Sequence, residues 1–276
     1  MTIKLKKNES FYIREGWFEK AINTINDEKK NVFSKNEGVK DLGIGANMVK
    51  GLKYWLGASG IISGKENGLS GFGNNLIKYD PYLDSNFSWF LIHYSLVTNE
   101  EECPIFNIVF NFEASSFRKH DMTEYVYQRM MLEDPKVNRK FVEADINVFL
   151  KSYVNEAPIL NPEDNYVCPL SSLKLMKSDS SVYRKISPAY NSLSYLVVYH
   201  ALTEMNSEES FNIEDSIEAK NSPVHIFNLD KYMYLQYLDE MRKNNLVTIN
   251  KTAGLNTVYF EKRLSLADLF QMYFGR

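Results

Sequence analysis

Asn36-Glu37-Gly38-Val39-Lys40-Asp41-Leu42-Gly43-Ile44-Gly45-Ala46-Asn47-Met48-Val49-Lys50-Gly51-Leu52-Lys53-Tyr54-Trp55-Leu56 reads as a short helix, a glycine-punctuated turn and a second helix. In the second helix Met48, Val49, Leu52, Trp55 and Leu56 fall at i, i+1, i+4, i+7 and i+8, an apolar stripe that must face a core. The same spacing turns Asn47, Lys50 and Tyr54 to the other side, and such residues can touch phosphate oxygens and base edges in a major groove. Gly43 and Gly45 suit a tight interhelical turn, and Gly57 to Gly60 suit a helix end near Ala58. Ile61-Ile62-Ser63, a polar Gly-rich tip and Leu69 to Tyr79 then read as a two-stranded wing. The sequence predicts a winged helix-turn-helix domain over residues 1–84.

Charge is distributed in the same direction. The whole chain of 276 residues carries a formal charge of -3, which argues against a general polyanion binder. Residues 1–78 hold 13 basic and 8 acidic side chains, whereas the remainder holds 19 basic and 27 acidic ones. Attraction to DNA is therefore expected in the N-terminal third. With 44% hydrophobic and 14% aromatic residues the chain can fill large cores. It contains no membrane-length apolar run and no signal-peptide segment. Two cysteines, Cys103 and Cys168, are too few for a disulfide framework or a cysteine zinc site. A soluble protein in the reducing cytoplasm is the expectation.

Outward from the central motif, residues 1–10 alternate weakly like an edge strand, and Phe11 to Ile25 carry a helical apolar side. Asp80-Pro81-Tyr82-Leu83-Asp84 reads as a capped turn before an aromatic helix, Ser88 to Val97, apolar nearly all round. The β-favouring run Ile105 to Phe112 predicts a strand, followed by helices at Thr123 to Leu132 and Asn138 to Val154. This middle region, 85–155, is expected to be mainly helical, with a linker at Glu156 to Pro169. In the third region, 156–276, Pro188 is placed to open a helix reaching Met205. Asn228 would cap a helix from Leu229 to Lys243 whose apolar side is Tyr232, Leu235, Leu238 and Met241. A hairpin, Leu246 to Ile249 with Thr257 to Phe260, and a helix capped by Ser265 complete a second winged-helix-like element. The predicted fold is mostly α with small β wings, an α+β chain.

Chemistry is sparse in the sequence. His93, His120, His200 and His225 lack paired metal-ligand spacing, and His93 and His200 sit in apolar helical runs typical of core histidines. No phosphate-cradling loop with a following Lys-Ser or Lys-Thr is present, no nucleophile elbow is visible, and Gly71-Phe72-Gly73 reads as a wing tip. Glu100-Glu101-Glu102 reads as a solvated loop rather than a cation site. Arg118-Lys119-His120-Asp121 mixes cations with a proton carrier at the surface; beside the first winged helix, Arg118 and Lys119 would contact phosphates. No catalytic residue, metal or cofactor is expected.

Phe11 to Trp17, Leu42 to Lys50 with Tyr54-Trp55, Asp80 to Leu83, Trp89 to Tyr94 and Thr252 to Leu255 together resemble an uncharacterised prokaryotic family, domain of unknown function 4007. The resemblance implies a setting: members are encoded beside sulfur-handling, PAPS-reductase-like proteins of DNA phosphorothioation and other phage-defence or DNA-modification systems. Here Ala46 stands where lysine is common, and Ile13-Arg14-Glu15 replaces an arginine-rich opening. The resulting expectation is a non-enzymatic accessory protein that binds double-stranded DNA. Asn47, Lys50 and Tyr54 would approach the groove, while Lys53 and Lys65 would touch phosphates. The alternatives are an adaptor whose winged helices recruit other defence-system proteins, and a regulator of its own operon.

Overall fold

A computed structural model describes residues 4–28, 32–33, 37–65, 67–154, 167–252 and 255–275. The chain is a mixed α+β fold in which helices dominate and the sheets are small. Helix α1 (Trp17–Glu28) buries Trp17, Phe18, Ala21, Ile22 and Ile25, the i, i+1, i+4, i+5, i+8 pattern of one face. Helices α2 (Glu37–Leu42) and α3 (Ala46–Ala58) follow, joined by a turn in which Gly43 takes φ +63°. Strands β1 (Ile62–Ser63) and β2 (Gly68–Leu69) pair antiparallel through Ile62 with Leu69 and Ser63 with Gly68.

The expected second wing strand is mostly helix. Ser70 caps α4 (Gly71–Tyr79) by accepting from the Gly73 N–H, so Gly71-Phe72-Gly73 is a first helical turn and not a wing tip. Residues 4–10 form turns rather than an edge strand, because Asp145 gathers the Lys6 N–H and the Asn8 amide at 2.8 and 3.0 Å.

Helix α5 (Asn86–Thr98) is buried on nearly every side, with Phe87, Trp89, Phe90, Leu91, Ile92, Leu96 and Val97 in the core. Its entry is set by the buried Asp80 carboxylate, which accepts from the Asp84 and Ser85 N–H groups and from the Ser88 hydroxyl at 3.0, 3.2 and 2.6 Å. The predicted strand at 105–112 is instead α6 (Pro104–Phe110), where Ile105, Phe106, Val109 and Phe110 are buried at helical spacing. Pro104 opens its first turn, and packing overrides the β preference of Ile and Val.

Strand β3 (Ser116–Arg118), α7 (Lys119–Glu133) and α8 (Arg139–Tyr153) come next. The expected linker falls mainly on residues 155–166, outside the described residues. A 3-10 turn at Pro169–Leu173 then leads to β4 (Met176–Asp179) and β5 (Val182–Lys185), giving a sheet of order β3-β5-β4. Helix α9 (Tyr195–Met205) starts at its Ser194 cap rather than at Pro188. Beyond it lie β6 (Ser210–Asn212), α10 (Ile213–Glu218), α11 (Pro223–Ile226), α12 (Lys231–Lys243), β7 (Val247–Thr252), β8 (Leu255–Phe260) and α13 (Leu266–Phe274). The last sheet has order β6-β8-β7, and α12 is capped by Asp230 instead of Asn228. On α12 the buried side is Tyr234, Tyr237, Leu238 and Met241, while Tyr232 and Leu235 are exposed.

The core runs continuously from Ile13 to Phe270. In α13, Tyr273 stacks on Phe87 at 4.2 Å and Phe270 meets Phe72, Tyr79 and Phe87, tying the C-terminal helix to α4 and α5. His93 is a core residue as its apolar surroundings predicted: Nδ1 lies 2.7 Å from the Tyr153 hydroxyl and Nε2 lies 2.8 Å from the Ile226 carbonyl. A carbonyl only accepts, so Nε2 carries the hydrogen and Nδ1 accepts from Tyr153. Burial pushes the imidazole down from 6.5 to about 4, keeping it neutral.

Replacing Asp80 with Ala removes three hydrogen bonds to one buried carboxylate and should cost about 2–4 kcal/mol in urea unfolding; a loss below about 0.5 kcal/mol contradicts this role. For His93 the unfolded chain binds the proton more readily, so its stabilising contribution is present above pH 6.5 and disappears as pH falls toward 4. Wild type should therefore lose about 3 kcal/mol more than His93→Gln across that window. Parallel pH profiles for the two proteins would contradict the assignment.

Candidate nucleic-acid interface

Helix α3 is fixed from its inner side. Trp55 is 1% exposed, donates its indole N–H to the Phe11 carbonyl at 2.9 Å, and packs edge-on against Phe106 at 5.6 Å. Leu52 and Leu56 are buried beside it. Gly51 allows a close approach: a Cβ there would lie 2.9 Å from the Asn8 backbone oxygen. The outer side carries Ala46, Asn47, Lys50, Lys53 and Gly57, all exposed. Ala46, Lys50, Lys53 and Gly57 recur at i, i+4, i+7 and i+11, so two lysines stand in a row between small residues.

No carboxylate lies on α3 itself. Lys50 Nζ sits 3.3 Å from the Asn47 side-chain oxygen, which aligns the amide and the ammonium along one edge. At the N-terminus, Gly45 supplies no side-chain cap, and Gly45, Ala46 and Asn47 are exposed. The first-turn N–H groups thus add partial positive charge to the same row. Lys65 is exposed in the connection between β1 and β2.

Tyr54 departs from the expected groove-facing role. Its hydroxyl donates to the Glu102 carbonyl at 2.5 Å and lies 3.4 Å from Cys103 Sγ, and burial raises its pKa well above the ordinary phenol value. The side chain is near the edge of the outer face by helical angle, and the α5–α6 connection captures it. Glu101 and Glu102 in that connection are held by Lys4 at 2.7 and 2.5 Å, and Glu100 by Lys220 at 2.6 Å. The three consecutive carboxylates are therefore spent on ion pairs, and Lys4 keeps the Glu101 carboxyl below its usual range.

Arg118 ends β3 and is exposed, whereas Lys119 opens α7 half-buried. Both belong to the neighbourhood of the β3-β5-β4 sheet, so they do not extend the α3 row by sequence or pairing. Lys177 and Arg184, which the sequence pattern did not single out, are exposed on that sheet. Their signal was two short alternating runs, Met176 to Asp179 and Val182 to Lys185, around Ser180-Ser181.

The histidines do not converge. His93 is enclosed, His200 packs edge-on against Tyr94 at 5.1 Å, and exposed His120 sits 3.5 Å from Asp121. Arg118 is exposed while His93 has no accessible surface. Among the described residues no group of three His, Cys, Asp or Glu is placed to hold a metal ion. Cys103 and Cys168 are buried free thiols, each pushed up to about 12 by burial. Among the described residues no helix is long and apolar enough to cross a membrane.

No curated protein matches the chain. Two solved structures share its fold. "Magnesium ion-bound SspB crystal structure" aligns with a TM-score of 0.86 at 20% identity, covering 99% of this chain and 88% of that one. "SspB crystal structure" aligns with a TM-score of 0.83 at 20% identity and the same coverage. Over residues 6–274 the sequence matches the model of a family described as Protein of unknown function (DUF4007), and the chain belongs to that family.

Proposed function

We propose that this protein is a non-enzymatic accessory component of a DNA-modification or phage-defence system that contacts duplex DNA through α3 of an N-terminal winged helix-turn-helix. The observation that carries the reading is the outer row of α3: Lys50 and Lys53 face solvent between Ala46 and Gly57, with no carboxylate on the helix. A helix entering a groove needs cations for the phosphates and small residues where the backbone approaches. Asn47 supplies an amide able to pair with an adenine edge. The element order α1, α2, α3, β1, β2 fits a recognition helix followed by a short wing, and Lys65 at the hairpin connection is placed for a flanking phosphate. The family resemblance to proteins encoded beside phosphorothioation genes supports the setting.

A second reading, a protein-recruiting adaptor, draws on α12. Tyr232 is 72% exposed, Leu235 is 39% exposed, and with Tyr190 they line a cavity of about 580 Å³ that also includes Asp239 and Glu240. Exposed aromatic and aliphatic side chains beside carboxylates suit a protein partner better than a phosphate backbone.

In duplex titrations across a salt series, Lys50→Ala with Lys53→Ala should weaken binding and flatten the log–log salt slope by about 2, one unit per lost phosphate contact. Absence of duplex binding by the wild type, or a variant indistinguishable from it, contradicts the α3 reading. Retention of a co-purifying neighbour-encoded subunit that Tyr232→Ala with Leu235→Ala releases would favour the adaptor.

A further inference from the structure

The outer face of the β3-β5-β4 sheet holds a second cationic row, assembled from strands far apart in sequence. Ser116 pairs with Arg184, and Arg184 pairs with Lys177, so these three side chains cross the sheet in one register line. Arg118 and Val182 occupy the next line, opposite Asp179. Side chains two residues apart share a face, so Arg118, Arg184, Lys177 and Asp179 all point the same way. All four are exposed, whereas Phe117 and Met176 on the reverse face are buried.

Two features separate this face from an ordinary solvated sheet. Lys177 and Arg184 stand directly opposite each other, a like-charge pairing that weakens a sheet. Moreover, among the described residues none of Arg118, Lys177 or Arg184 has a carboxylate within ion-pair distance, although Asp179 shares the face. Val182 is the sole apolar side chain in these register lines, so the face lacks the apolar centre that a protein interface requires. The guanidinium forks of Arg118 and Arg184 match phosphate oxygens, and strand spacing sets the row about 10 Å wide across three strands.

We propose that this face binds the phosphodiester backbone of nucleic acid, a second contact surface independent of α3 in residues and position. It rests on the reading that the partner is nucleic acid, but not on α3 being the element that meets the groove. The surface carries no base-reading group, so its contribution is sequence-independent and salt-sensitive.

The test compares wild type, Arg118→Gln with Lys177→Gln and Arg184→Gln, and Lys50→Gln with Lys53→Gln, by fluorescence anisotropy on a 40-base-pair duplex over a salt series. The sheet variant should bind about 10- to 100-fold more weakly at low salt with a slope shallower by 2–3, on shuffled sequences alike. Its melting temperature should be unchanged or higher, since the opposed charges are gone. Unchanged duplex affinity in the sheet variant overturns this proposal even where the α3 variant is impaired. The reverse pattern upholds the sheet and overturns α3, and a wild type that binds no duplex overturns both. Competition by poly-glutamate at charge concentrations equal to those of the duplex would assign the face to an acidic protein and also overturn the proposal.

Discussion

The Trp55 indole, hydrogen-bonded to the Phe11 carbonyl and enclosed against Phe106, fixes which side of α3 meets water. The buried ring alone accounts for about 3–5 kcal/mol by comparison with large-to-small core substitutions, a large share of the roughly 5–15 kcal/mol that holds a domain together. Rotation of α3 about its axis would carry Trp55, Leu52 and Leu56 toward solvent. The clamp is reinforced by a relay from the middle of the chain: Asp145 on α8 orders residues 6–8, and the Asn8 carbonyl rests against Gly51. Orientation of the two outward lysines is thus a consequence of core packing, with no contribution needed from the lysines themselves.

Charge then sorts into two classes. The carboxylates of the α5–α6 connection beside Tyr54 are engaged, Glu101 and Glu102 with Lys4 and Glu100 with Lys220. On the distant α12, Asp239 is bracketed by Arg242 and Lys243 at 2.7 and 2.8 Å. By contrast, among the described residues Lys53 on α3 and Arg118, Lys177 and Arg184 on the β3-β5-β4 sheet have no carboxylate within ion-pair distance. A net charge of -3 for the whole chain therefore hides local surfaces of opposite character. Surface pairs contribute little to stability, so their value here is in deciding where free positive charge remains.

Much of this arrangement was legible in the linear pattern, for identifiable reasons. The apolar spacing of Leu52, Trp55 and Leu56 located α3 and its inner face, and an all-apolar run marked α5 as central. Local chemistry also announced the turn at Asp80 and the Ser265 cap, which closes a reciprocal capping box with Asp268. The failures share a cause, namely tertiary contacts that no local rule contains. Ile105 to Phe110 carries β-favouring side chains but packs at helical spacing against α5 and α8. Tyr54 sits at the border of two faces and is drawn inward by a carbonyl 48 residues away. On α12 the expected apolar side included Tyr232 and Leu235, whereas Tyr234 is the buried residue, its hydroxyl 2.7 Å from that of Ser216 on α10. The cationic sheet face needed pairing between residues near 117 and residues near 183, which no single window of sequence displays.

Photocrosslinking to a duplex tests the central orientation most directly. Single cysteines placed at 53, 57 or 232 carry the photoreactive label, while native Cys103 and Cys168 remain buried and unreactive. Strong crosslinks from 53 and 57 with little from 232 are the predicted outcome. Crosslinks confined to 232 would mean that α12, and not the side of α3 set by Trp55, meets the DNA.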